Sequence, residues 1–182
     1  MQLTALLRGV LRSEGEFTTL GREIELVEHY LEIERARFEE RLRVAIDVPA
    51  ALRALPVPPL IVQPLVENAV KHGIATCRAG GEVAIRAWIE DGARLRVEVR
   101  NTGTPLPEAW ARDETSVGLH NVERRLAAHY GEAAACTLTR DGDAATVARI
   151  HIPVGGGAWA PRAAVARRPA TARLASAGRC GR

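Results

Sequence analysis

The chain has 182 residues, 47% hydrophobic and 26% charged, enough for one soluble globular domain with a core of its own. Its net charge of +3 hides a division: six of the 25 Lys and Arg residues lie in residues 155–182, which hold no acid, so residues 1–154 carry 19 bases against 22 acids, a net of −3. The folded part therefore offers no basic face for nucleic acid. No run of 18 apolar residues occurs to cross a bilayer, and an N-terminus with Arg8, Arg12 and Glu14 does not fit a secretory signal. Three widely spaced cysteines, Cys77, Cys136 and Cys180, match neither a disulfide framework nor a zinc site, and the expected setting is soluble and cytoplasmic.

In chain order, Leu3, Leu6, Leu7, Val10 and Leu11 make a short helical stripe that breaks at Ser13–Gly15. A longer stripe follows: Leu20, Ile24, Val27, Leu31 and Phe38, with Leu26, Tyr30 and Ile33 beside it and Glu and Arg crowding the other faces. It predicts an amphipathic helix of about six turns ending near Arg41. So long a helix points to helix-pair or dimer packing, with packing on its own domain as the plainer option. Four prolines (Pro49, Pro56, Pro58, Pro59) make residues 49–59 a stiff connector without a regular interior. LIVQPLVENAVKHGI then reads as a helix. Ile61, Leu65 and Ala69, with Val62, Val66 and Val70, form its apolar side; Asn68, Lys71 and His72 share an exposed surface at i, i+3, i+4, and Gly73 is placed to end it.

The period then changes from 3.6 to 2. Val83, Ile85, Ala87 and Ile89 alternate with Glu82, Arg86, Trp88 and Glu90 around one edge of a hairpin; after Asp91-Gly92, Leu95, Val97 and Val99 alternate with Arg94, Arg96, Glu98 and Arg100. One-sided alternation implies a sheet covered by helices on one side only, an α+β two-layer sandwich preceded by the long helix. Asn101 to Ser116 reads as a loop. Val117 to Tyr130 is helical with Leu119, Val122 and Leu126 inward, and a second hairpin, CTLTRDGDAATVARIHIP, closes the sheet.

A helix presenting Asn, Lys and His, a strand, a Gly-containing turn, a loop and a Gly-started helix follow one another in an order that can cradle a nucleotide. Asn68 offers the oxygen donor that magnesium wants beside water and phosphate oxygens. Lys71 is a point charge for a phosphate, and Gly118 lets backbone N–H groups near an anion. Each alone has a plainer reading: a lone helical Asn is solvated, and Glu67 with Lys71 at i, i+4 is a surface ion pair.

The ordered set is more specific. PPLIVQPLVENAVKHGI resembles the N-box of the histidine-kinase-type ATPase domain shared with gyrase B, Hsp90 and MutL (the Bergerat or GHKL fold), and its QPLVENAxKHG form resembles the LytS-type sensor histidine kinases. LGREIELVEHYLEIERARFEERL is similar to that subfamily's linker helix, VEVRNTGTPLP to the G1 box, SVGLHNVERRLAAHYG to the G2 box with its helix, and VARIHIP to the closing strand. The resemblance covers residues 3–154. It implies ATP and Mg2+ as the bound groups. Asn68 falls on the asparagine that coordinates magnesium, and Lys71 and His72 fall where side chains reach the phosphates. Asn101 falls on the residue that bonds the adenine amino group, Gly103 on the glycine that lets adenine approach, and Gly118 and Leu119 on the hinge of a lid over the nucleotide.

The resemblance also divides the chain into remnant dimerisation and linker helices (1–42) and the ATP-binding domain (43–154), while composition alone reads residues 155–182, which have no family counterpart, as a disordered Arg/Ala/Gly-rich tail. It implies a response regulator as partner and, through the N-terminal helices, a second copy or a membrane sensor portion, full-length relatives being membrane-anchored. Three departures stand out. Asn101 replaces the usual aspartate; its amide oxygen still accepts from adenine but without charge, implying weaker affinity. Thr104-Pro105 stand in place of the second G1 glycine and the G2 box is reduced to Ser116-Val117-Gly118, implying a short or stiff lid. The phosphoacceptor histidine of an NPHFLFN-like helix has no counterpart in residues 1–182, so no catalytic acceptor is assigned; His29 matches no acceptor motif and reads as surface or packing. The reading is thus the ATP-binding portion of a sensor histidine kinase. The rivals are a non-catalytic ATP-binding regulatory module and an anti-sigma-type serine kinase, the latter disfavoured by the linker helix and the QPLVEN form.

The tail has no apolar pattern with which to dock. Deleting residues 157–182 is expected to leave the thermal midpoint and ATP affinity unchanged; a loss of more than about 1 kcal/mol in calorimetric unfolding would make the tail structural.

Overall fold

The stretch after Thr19 forms a helix because its start is capped and one face is apolar along its length. In the computed structural model, which describes residues 17–106, 117–142 and 145–154, a short strand β1 (Thr18–Thr19) leads into helix α1 (Leu20–Phe38), whose Arg22 amide donates to the Thr19 hydroxyl at 3.2 Å. Leu20, Ile24, Val27, Leu31 and Phe38 are buried in the same core cluster as the inner face of the sheet. Packing on its own domain therefore accounts for the stripe. Leu26 and Tyr30 are half-buried, Ile33 is exposed, and the α-helix stops three residues short of Arg41, giving way to a 3-10 turn over Glu39–Arg41. The helical stripe read at residues 2–12, the loop from 107 to 116 and the tail from 155 lie outside the described residues.

The sheet has five strands: β2 (Leu42–Asp47), β4 (Gly81–Glu90), β5 (Arg94–Thr102), β6 (Ala135–Asp141) and β7 (Ala145–Pro153), in the order β2-β4-β5-β7-β6. β2 runs parallel to β4, and the other pairs are antiparallel. The paired positions Ile85–Val99–Ala148 and Ala87–Val97–Ile150 place one apolar row after another on the inner face. The outer face is a lattice of opposite charges, with Glu98 to Arg149 at 2.8 Å and Arg100 to Asp141 at 2.9 Å. One face apolar and one face polar is the two-layer α+β arrangement that the alternation predicts. The first hairpin turns at Asp91 (φ 51°) and Gly92 (φ 70°), with the Ala93 amide donating to the Glu90 carbonyl at 3.2 Å; two successive positive φ values are the signature of an Asp-Gly hairpin turn. The second hairpin attaches through its last strand: β7, which carries VARIHIP, lies between β5 and β6, and β6 is the edge.

The helical layer comprises α1, α2 (Ala50–Arg53), α3 (Gln63–Asn68) and α4 (Val117–Tyr130). The proline-rich connector is more regular than its composition predicts. Pro49 precedes the single turn of α2, and β3 (Pro56–Val57) pairs antiparallel with β1, while the Leu20 amide donates to the Leu55 carbonyl at 2.8 Å. Proline is compatible here because its φ suits a helix start and an edge strand that needs no donor. α1 packs on α2, α3 and β2, and α4 packs on α3 and the β6–β7 hairpin with Leu119, Val122 and Leu126 buried, as their spacing predicts.

If α1 is part of this core, Ile24→Ala, at a fully buried position, should cost about 2–5 kcal/mol in denaturant unfolding. Ile33→Ala, at a position 57% exposed, should stay within about 0.5 kcal/mol. Equal small losses would detach α1 from the domain core.

Candidate functional site

The segment that enters α3 is held from both sides. Leu60 adopts φ 57°, a conformation that costs a non-glycine residue about 1–2 kcal/mol. The amides of Leu60, Ile61 and Val62 all donate to the carboxylate of Glu23, at 2.7, 2.9 and 3.0 Å. On the other side, the Arg125 guanidinium of α4 donates to the carbonyls of Pro59 and Leu60. Glu23 has no exposed surface; burial pushes its carboxyl above the ordinary carboxylate range, against the pull of the three amides and of Arg125. Sequence reasoning passed over Glu23, yet a signal was there: an acid three residues after Leu20, on the face of the apolar stripe, as Glu34 is between Leu31 and Phe38.

α3 begins at Gln63, three residues later than the helix read from Leu60, and ends as an α-helix at Asn68. The chain continues as a π-helical segment, Ala69–Ile74, and its end is marked by the Ala75 amide donating to the Val70 carbonyl at 2.9 Å. Gly73 therefore does not terminate the helix; it lies buried inside it. A Cβ at residue 73 would sit 2.1 Å from Nδ2 of Asn101, so the absence of a side chain is what lets the helix lie against the end of β5. Widened turns of this kind recur at functional sites because they re-aim side chains. Asn68 is half-buried, while Lys71 and His72 are exposed. Partial burial first and Lys71 second shift the His72 imidazole below its ordinary range. Glu67 accepts from the Gln63 amide at 2.8 Å, which replaces the expected pairing with Lys71.

The end of β5 is stitched to this helix. Asn101 points to the inner side of the sheet, in register with Val83, and is 4% exposed. Asn101 and Thr102 belong to the strand, so the loop starts two residues later than its sequence implies. Gly103 has φ 118°, and a Cβ there would come within 2.5 Å of the Gly73 carbonyl, which accepts the Thr104 amide at 3.0 Å. The Thr76 hydroxyl bridges the His72 carbonyl (2.6 Å) and the Thr104 hydroxyl (2.9 Å). The fold thus brings Gly73, Asn101 and Gly103 into contact one helical turn beyond Asn68. Gly118 lies at the start of α4 beside α3, where an added Cβ would meet Pro64 Cβ at an ordinary 3.5 Å, and Leu119 is buried in the core. Among the described residues no group of three or more His, Cys, Asp or Glu is placed to hold a metal ion, and no helix is long and apolar enough to cross a membrane.

Residues 59–156 match the family described as histidine kinase-, DNA gyrase B-, and HSP90-like ATPase, and residues 1–42 match the histidine kinase family. The chain is 36% identical over 152 residues to the sensor histidine kinase BtsS of Escherichia coli K12, an alignment covering 83% of this chain and 26% of that protein. It is 33% identical over 164 residues to the sensor protein LytS of Staphylococcus haemolyticus, covering 84% and 28%. The chain thus spans about a quarter of the length of these curated relatives. The histidine kinase domain of a blue-light activated kinase from Erythrobacter litoralis EL346 superposes with a TM-score of 0.57 at 23% identity, over 78% of this chain and 65% of that one, a likeness of fold.

The two helix glycines should behave oppositely. Gly73→Ala forces a methyl group into Asn101 and should destabilise by about 1–3 kcal/mol in denaturant unfolding. Gly118→Ala meets only an ordinary contact and gains helix propensity, so it should be neutral or stabilising by up to about 1 kcal/mol. A Gly73→Ala protein as stable as its parent would contradict the close approach.

Proposed function

Because the chain belongs to the histidine kinase-, DNA gyrase B- and HSP90-like ATPases, we propose that it is the ATP-binding, catalytic portion of a sensor histidine kinase. The observation that supports the reading is the juxtaposition of Asn101, 4% exposed at the end of β5, with the side-chain-free Gly73 and Gly103: an amide oxygen set among bare backbone can accept from the exocyclic amino group of a flat purine. In this reading Asn101 Oδ1 accepts from the adenine amino group and Gly103 admits the ring. Lys71 and His72, exposed on the π-helical segment, reach toward the phosphates. Gly118 and Leu119, where α4 begins, hinge the lid over the nucleotide.

The residues also fit magnesium. With no protein cluster able to cage a cation among the described residues, Asn68 would supply one oxygen donor and the phosphates and water the rest, the usual habit of this ion. When bound, magnesium offsets phosphate charge and helps hold the γ-phosphoryl group for in-line transfer. The chain's own residues bind and orient, so their contribution is placement rather than proton transfer. Transfer to a histidine would use an acceptor helix of the NPHFLFN kind, which is not among residues 1–182, and the phosphoryl group would then pass to an aspartate of a response regulator. The division at residues 42–43, pairing with a second copy, and connection of residues 1–42 to a membrane sensor portion belong to the same proposal.

Asn68→Ala keeps a good helix former in place, so the fold should survive. ATP affinity measured by calorimetry in the presence of magnesium should fall at least about tenfold, equivalent to about 1.4 kcal/mol. Unchanged affinity in a folded variant would remove the assignment of Asn68. Any phosphoryl product formed with a supplied acceptor helix should be acid-labile and base-stable; an acid-stable product would favour a serine kinase instead.

A further inference from the structure

Two helices, α1 and α4, converge on one tetrapeptide, Pro59–Val62. The amides of its last three residues are taken by Glu23 from the first turn of α1, and the carbonyls of its first two by Arg125 from α4. Immediately after it, α3 runs to Asn68. The start of α3 has no cap of its own. Val62, the capping position, makes no side-chain bond, and Pro64 in the first turn has no N–H. Instead the carboxylate of another helix, 37 to 39 residues earlier in the chain, holds the three amides that lead into it, the last being that of the capping residue Val62. Leu60 is held at a φ that leucine disfavours, so the segment relaxes if either hold is released.

The far end of the same helix is fixed differently. There Gly73 abuts Asn101 and the Thr104 amide bonds to the Gly73 carbonyl. Asn68 lies between the two attachments. The β5 end belongs to the rigid sheet, whereas the Glu23 end belongs to α1, the helix nearest residues 1–16. A shift of α1 is therefore felt at the entrance of α3 and, through it, at Asn68.

We propose that Glu23 and Arg125 are positioning residues that set the placement of α3, so that displacement of α1 alters nucleotide affinity. The proposal rests on the nucleotide-binding reading and names the regulation of that same site. A carboxylate that merely satisfies buried amides would support stability and leave affinity untouched, and the test separates the two.

Mg-ATP is titrated calorimetrically into the 182-residue chain and its variants, with thermal unfolding followed in parallel. Glu23→Gln keeps the side-chain volume but removes the charge and one acceptor; it and Arg125→Gln should each weaken binding at least about fivefold. The double variant should be little weaker than either single one, because both act on one segment. Val27→Ala, fully buried on α1 but outside the clamp, should lower the thermal midpoint while keeping affinity within about twofold. Folded Glu23→Gln protein binding within twofold of its parent overturns the proposal. Should that variant not fold, hydrogen exchange on the parent chain decides. Mg-ATP should slow exchange of the Leu60, Ile61 and Val62 amides about tenfold more than those of Val97 and Val99 in β5, and equal slowing overturns the proposal. A parent chain that binds no ATP at all sinks the nucleotide reading itself, and is recognisable as such before any variant is made.

Discussion

A helix that lies against the end of a strand with only the Asn101 side chain between them sets the shape of this molecule's proposed site. Gly73 faces the amide of Asn101, and Gly103 faces the carbonyl of Gly73. For that approach the helix widens to a π-helical segment over Ala69–Ile74, and the strand end is pinned by Thr76, Thr102 and Thr104. The rest of the fold supplies backing. The inner sheet face and the buried stripe of α1 form one apolar cluster, so burial presses the helical layer onto the sheet, and the Thr104 amide to Gly73 carbonyl bond fixes the contact locally.

A buried charge works at the other end of the same helix. Removing a carboxylate from water is unfavourable by several kcal/mol unless donors replace the lost hydration. Glu23 receives three backbone donors and faces Arg125, which satisfies the anion without making its burial advantageous, and its carboxyl still binds a proton more readily than an exposed one. The sign follows from that direction: the protonated form is favoured in the fold, so its contribution to stability is largest at low pH and declines as pH rises through the raised range. What the side chain visibly does is impose a geometry on Pro59–Val62 through its three backbone bonds.

Local periodicity made much of the fold legible in the sequence. The stripe Leu20, Ile24, Val27, Leu31 and Phe38, the inward set Leu119, Val122 and Leu126, and the Asp91-Gly92 turn follow from spacing and φ preference, which are properties of a few neighbouring residues. What the sequence concealed is long-range. Nothing local to VARIHIP places it between β5 and β6 rather than at the edge. Nothing local to LIVQPLVEN foretells that Leu60 takes a positive φ or that the helix starts only at Gln63, because both depend on Glu23 nearly forty residues earlier. Gly73 looked like a helix end because glycine most often is one; its role became visible only with Asn101 beside it. Asn68, Lys71, Asn101 and Gly103 were legible as a set only through resemblance to a family, since no single spacing among them specifies a nucleotide.

The most direct test of the account is a crystal structure of this chain with magnesium and a non-hydrolysable ATP analogue. The account predicts the adenine beside Gly103 with its amino group within hydrogen-bonding distance, about 3 Å, of Asn101 Oδ1, and the phosphates directed toward Asn68 and Lys71. An analogue seated elsewhere, or bound with its adenine remote from Asn101 and Gly103, would contradict it.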